Sequence, residues 1–245
     1  MLTRPTWVNF GSADRRRLGF LWDDARVVDD FTGDASAVLS AAMKMSPRAR
    51  MVLAVALYEW VVWRFEGLHN HEEPQQILEA AWCATVDPRY LGFYYLEREE
   101  WVGPIEGPLW CAAAYLQHGL PKGYAFEGDL YDAMERLYLL ANHVVPDPES
   151  LERWLQPTLR RLVGHYPPPQ LDDYEDLFEH RIGEHLGTLI GRDTLDPSLA
   201  IDPVRDREFL SRVLAEASAS KNPFLATREV LEERDFEGEP YVIPT

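Results

Sequence analysis

His69, His71, Glu72 and Glu73 stand together just after Gly67. A His-x-His pair with neighbouring carboxylates offers a metal ion imidazole nitrogens and hard oxygens. The four lie in a polar stretch between two helical patterns, where such residues are expected in any case, and no second cluster of matching spacing completes a coordination set. A solvated loop is therefore expected, with no metal and no cofactor; His69, His71 and Glu72 are the candidates should one bind. His180, Glu184 and His185 form a second histidine group. On a helix over 171–190 whose apolar face is Leu171, Tyr174, Phe178, Ile182 and Leu189, the two histidines point about 140° apart and cannot share an ion. Their spacing also misses the zinc patterns His-Glu-x-x-His and His-x-x-Glu-His.

Glu59 is a carboxylate in the middle of the most apolar stretch, Met51 to Phe65. A carboxylate in such surroundings needs a partner or takes up a proton. A catalytic acid is one reading; an ion pair, or a side chain reaching an exposed edge, is the expected one. The chain contains no Gly-x-Gly-x-x-Gly, no phosphate-binding Gly-x-x-x-x-Gly-Lys loop and no Gly-x-Ser-x-Gly, so no motif names a reaction. Cys83 and Cys111 are the only cysteines, too few for a disulfide framework, and both sit among apolar residues as expected for buried thiols.

Two groups of residues suit recognition better than chemistry. Asp172, Asp173, Glu175, Asp176 and Glu179 open the helical pattern 171–190 with no base before Arg181. The helix dipole favours acids in a first turn, but these five spread over the whole outward side, where a basic partner would relieve their repulsion. The other group runs from Tyr90 to Trp110. It sets Phe93, Tyr94, Tyr95 and Trp101 among Glu97, Glu99, Glu100 and Glu106. Rings supply contact area and carboxylates supply specificity for a basic protein. Most of these rings are expected to pack inward, with Trp101 held towards the surface by the turns at Gly103-Pro104 and Gly107-Pro108.

The charge distribution points the same way. The net charge is −17, yet residues 1–67 carry +1 and residues 68–245 carry −18. Such a field repels nucleic acid and anionic membranes and attracts basic partners. Arg15-Arg16-Arg17, the only basic run, is flanked by Asp14, Asp23 and Asp24 and makes no nucleic-acid footprint. No apolar run is long and uncharged enough to span a bilayer, and the N-terminus leads into no secretory pattern, so a cytoplasmic protein is expected. Arginine outnumbers lysine 21 to 3, a bias common in GC-rich bacterial genomes.

The elements that must position these residues read as helices. Six times a short polar residue precedes proline, at Ser46, Asp87, Asp147, Asp196, Asp202 and Asn222. The side chain can accept from a free N–H of a first helical turn, and proline at the next position gives up an N–H that would lack a partner anyway. Apolar residues at spacings of three and four predict helices near 34–44, 46–66, 73–85, 88–97, 108–119, 128–144, 148–164, 171–190, 204–218 and 223–234. The expected fold is all-α, a single compact domain of about nine or ten helices over 34–245. Residues 1–33 form an irregular segment with a small hairpin, and Pro167-Pro168-Pro169 marks a candidate subdomain boundary at 166–170. Residues 46–67 carry two apolar faces between polar edges and should form the centre.

Together these features predict a non-enzymatic acidic protein that neutralises a basic partner, such as a bacterial immunity protein or antitoxin against a cationic toxin. The alternatives are a metal-assisted hydrolase with a site between helices, using His69 and His71, and a scaffold or regulatory subunit.

Overall fold

Ser46 begins the central element. Its Oγ accepts the Ala49 N–H at 3.3 Å, and Pro47 occupies the first position of the long helix that organises the molecule. A computed structural model describes residues 2–11, 14, 16–26, 31, 33–121, 127–169 and 185–243. Among these residues it contains eight α-helices: α1 (Ser36–Ala42), α2 (Pro47–Arg64), α3 (Glu73–Val86), α4 (Gly103–Gly119), α5 (Glu127–Val144), α6 (Pro148–His165), α7 (Pro203–Ala219) and α8 (Arg228–Glu233). They pack as one all-α domain, and the only strand-like pairing among the described residues is an isolated antiparallel bridge between Leu91 and Leu225.

Every residue of α2 from Arg48 to Arg64 is buried. Helices α3, α4 and α5 pack around it. Its stop is local: Gly67 takes φ +76°, a conformation that a side chain disfavours. The polar edges of α2 do not reach solvent. They end on the backbone of neighbouring helices. Arg48 Nη2 donates to Val86 O at 3.2 Å, Arg50 Nε to Ala42 O at 2.9 Å and Arg64 Nε to Val144 O at 2.8 Å. These carbonyls are the last of α3, α1 and α5. Terminal carbonyls have no partner inside their own helix and carry the negative end of its dipole, so each arginine brings a charged donor to such a group; Ala42 O also accepts the Met45 N–H at 3.0 Å.

The outer helices follow their apolar spacing. Leu130, Met134, Leu137, Ala141 and Val144 of α5 are buried, as are Leu151, Trp154, Leu155, Leu159 and Leu162 of α6, which carries Pro157 inside the helix. In α7, Leu210, Val213, Leu214 and Ala217 face inward.

Three cap-proline pairs open helices: those at Ser46, Asp147 and Asp202. The other three make turns. Asp87 opens a single 3-10 turn, Pro88–Tyr90, after which the backbone is extended, so there is no helix over 88–97. Asp196 accepts the Ser198 N–H and Asn222 the Phe224 N–H, each at 2.9 Å. The same short bond from side chain to N–H serves a turn as well as a helix start. Helix α8 is consequently short and begins only after Thr227, whose side chain accepts from Val230 N.

The expected N-terminal hairpin is absent among the described residues. Trp7, Val8 and Phe10 are buried one by one in the helical core instead of pairing with another strand. Trp7 stacks on Trp154 with centroids 4.9 Å apart, and Phe10 meets Trp60 edge-on at 5.4 Å. No helix among the described residues is long and apolar enough to cross a membrane.

Candidate binding surface

The connector between α3 and α4, residues 91–102, is pinned at both ends and along its length. Gly92 N donates to Phe224 O at 2.8 Å, and Ala226 N donates to Tyr90 O at 2.9 Å. A Cβ at Gly92 would lie 3.1 Å from the carbonyl oxygens of Phe224 and Leu225, so glycine permits this close approach. Tyr94 Oη donates to Ala113 O at 2.7 Å, and Trp110 Nε1 donates to Leu96 O at 2.8 Å.

Asp24 holds the far end. Its carboxylate accepts from Arg98 Nη2 at 2.6 Å, from Trp22 Nε1 at 2.9 Å and from the Gly103 N–H at 2.7 Å, the last acting as a cap for α4 supplied from 79 residues away. Burial raises the pKa of Asp24, but the bonds from Trp22, Gly103 and Arg98 together hold it below the usual carboxylate range.

Exposure alternates along the extended part. Phe93 is 78% exposed and Tyr95 68%, and Glu97 also points out, while Tyr94, Leu96 and Arg98 are half-buried. This is the period of two that an extended backbone imposes. Glu99 and Glu100 are exposed on the 3-10 turn that follows, and Val102 is 53% exposed. The connector thus presents two rings, an aliphatic side chain and three carboxylates to solvent on a fixed backbone.

Trp101 does not belong to that surface. It is 2% exposed, against the expectation that the Gly-Pro steps would hold it outward. Both steps lie inside α4, which starts at Gly103, so they direct the chain into a helix and the ring turns under it. Trp101 packs on His71 with centroids 4.1 Å apart, and its carbonyl accepts from Arg98 Nη1. It is an anchor for the connector rather than a contact residue.

His69 and His71 therefore border the connector. Their rings lie 6.1 Å apart, and His71 Nδ1 is 3.7 Å from Glu73. Burial, then the neighbouring His71, lowers the pKa of His69. Glu72 is the residue before α3 and makes no side-chain cap. Among the described residues no group of three or more His, Cys, Asp or Glu side chains is placed to hold a metal ion.

Glu59 is fully buried, with four donors around it. Trp82 Nε1 lies 2.7 Å from Oε1 and Trp63 Nε1 2.9 Å from Oε2. Arg192 Nε reaches Oε1 at 2.9 Å, and its Nη2 donates to Oε2. Arg192 Nη1 continues to Thr3 O at 2.7 Å, which ties the N-terminal segment to the same cluster. The ion-pair reading of Glu59 holds; the exposed-edge reading does not. Its partner lies 133 residues away in the 3-10 turn Arg192–Leu195, and no local sequence signal identifies it.

Cys83 and Cys111 are free and buried. Burial pushes both thiols up, Cys111 to about 12, so neither is a thiolate at neutral pH. His185 is half-buried. The acidic run Asp172, Asp173, Glu175, Asp176 and Glu179, with His180 and Glu184, lies outside the described residues. No family model matches the chain, and no curated protein or solved structure is significantly similar to it.

Proposed function

We propose that this is a non-enzymatic bacterial protein of the cytoplasm that binds and neutralises a basic protein, in the manner of an immunity protein or antitoxin, with the connector 91–102 as its docking surface. The single observation that carries the reading is the exposure of Phe93, Tyr95 and Val102 beside Glu97, Glu99 and Glu100 on a backbone fixed at both ends. Exposed rings on a pinned segment lose little conformational freedom on binding, which is what makes aromatic anchors effective. The carboxylates, within a chain of net charge −17, would steer a cationic partner and favour it over acidic competitors. Neutralisation would be steric, by covering the partner's functional surface.

The test is kinetic. With the partner isolated from the cell of origin, Glu99→Lys and Glu100→Lys together should slow association by about tenfold or more at low salt, with dissociation changed much less. Wild-type association should itself slow as salt rises. Unchanged rates with no salt dependence would remove the connector as the docking surface.

A further inference from the structure

Behind the connector lies a groove of about 620 Å³, within the range that accommodates small organic ligands. Tyr94, Tyr95 and Trp110 supply aromatic walls. Its charged lining is of one sign, Arg89 and Arg234, joined by the imidazole of His118, with no acidic side chain among the described residues that line it. In a protein of net charge −17 that is a local inversion.

The three basic side chains are not equivalent. Arg89 is neutralised by Asp87, whose Oδ2 lies 2.7 Å from its Nη2, and His118 lies 3.7 Å from Asp129. Arg234 is different. It is half-buried, and its Nη1 donates to the carbonyls of Arg89 and Leu91 at 2.9 and 2.8 Å. No carboxylate pairs with it among the described residues, and Nε and Nη2 take no hydrogen-bond partner there. Two carbonyls therefore fix a guanidinium in place while leaving its charge uncompensated. The edge formed by Nε and Nη2 carries two parallel donors, the geometry that receives a carboxylate side-on.

We propose that this groove is a binding site for a small organic acid, an apolar or aromatic body carrying one carboxylate, with Arg234 holding the carboxylate and Tyr94, Tyr95 and Trp110 enclosing the body. The acidic field of the whole protein does not prevent this. Screening confines it to about 8 Å in physiological salt, whereas a contact pair in a half-buried groove is screened much less. The groove shares Tyr95 with the docking surface proposed above, but it requires no protein partner and uses none of Glu97, Glu99 or Glu100, so failure of either reading leaves the other standing.

The experiment is calorimetric titration of the full chain with 1-naphthylacetate and with its uncharged analogue 1-naphthylacetamide. The acid should bind saturably to wild type, and the amide at least about tenfold more weakly, because only the acid forms the charge-assisted pair. Ala114→Phe, which adds a ring to the groove from α4 and leaves Arg234 itself unchanged, should abolish binding of both. Arg234→Gln should bring the acid down to the affinity of the amide, with circular dichroism confirming the fold. The comparison of acid with amide on wild type stands even if a variant fails to fold. Equal affinities for acid and amide, no binding of the acid at millimolar concentration, or wild-type binding by a folded Ala114→Phe protein would each overturn the proposal.

Discussion

Glu59 shows how a charged residue can belong to a core. Its carboxylate accepts from two indoles and a guanidinium, so removing a single partner exposes the remainder to the full cost of burial. Glu59→Gln should lower unfolding free energy by about 3–5 kcal/mol, because Arg192 keeps its charge in a buried site. Arg192→Met should cost a similar amount, and the double variant should cost clearly less than the sum of the two. Urea denaturation of the three proteins measures this directly. Additive losses would show that the two side chains are not energetically coupled. The need for a partner was legible in the sequence, since a carboxylate amid Leu57, Trp60 and Val61 cannot stand alone. Which residue supplied it was not, because a contact across 133 residues is fixed by the packing of α2 against the far end of the chain. Trp101 was misread for a related reason. The Gly-Pro steps that followed it looked like a surface turn, and only the position of α4 shows that they start a helix.

At the scale of elements, the helices with three-and-four apolar spacing were readable, and so was α2 as the central one. Proline after a capping residue was a weaker guide, because at Asp87, Asp196 and Asn222 the same hydrogen bond closes a turn. The roles of Arg48, Arg50 and Arg64 were not readable at all. They sit on polar edges of α2, and nothing local says that those edges face the ends of other helices. The connector has its own long-range support in Asp24. Because the folded-state pKa of Asp24 is depressed, its charged form is bound more tightly than in the unfolded chain. The stability it contributes is therefore fully present above the usual value of 3.8 and lost as pH falls through the lower folded value. Asp24→Asn should be less stable than wild type at neutral pH, and the gap should close below that range. Urea midpoints across an acid pH series check the sign; a gap that widens on acidification would contradict it. Amide hydrogen exchange at neutral pH should also speed up in residues 97–103 of the variant, because Arg98 and the Gly103 N–H bond different oxygens of Asp24, asparagine keeps only one of them, and the charge that pairs with Arg98 is lost.

For the molecule as a whole, the sequence showed an acidic, helical, well-packed chain without a reaction motif, and the structure adds where its surface departs from an ordinary one. Large exposed apolar side chains are uninformative singly, but Phe93, Tyr95 and Val102 share one pinned connector with three exposed carboxylates. That combination depends on which alternate residues face outward, and the composition of 90–110 could not supply it. The central claim is that a basic protein docks on this connector. The most direct measurement is site-specific photocrosslinking in the cell of origin, with a photoreactive phenylalanine analogue replacing Tyr95 in one protein and the exposed Val204 of α7 in another. The account predicts one dominant crosslinked protein of net positive charge from position 95, absent from position 204 and diminished when Glu99→Lys and Glu100→Lys are introduced. No crosslink from position 95, or the same products from both positions, would contradict it.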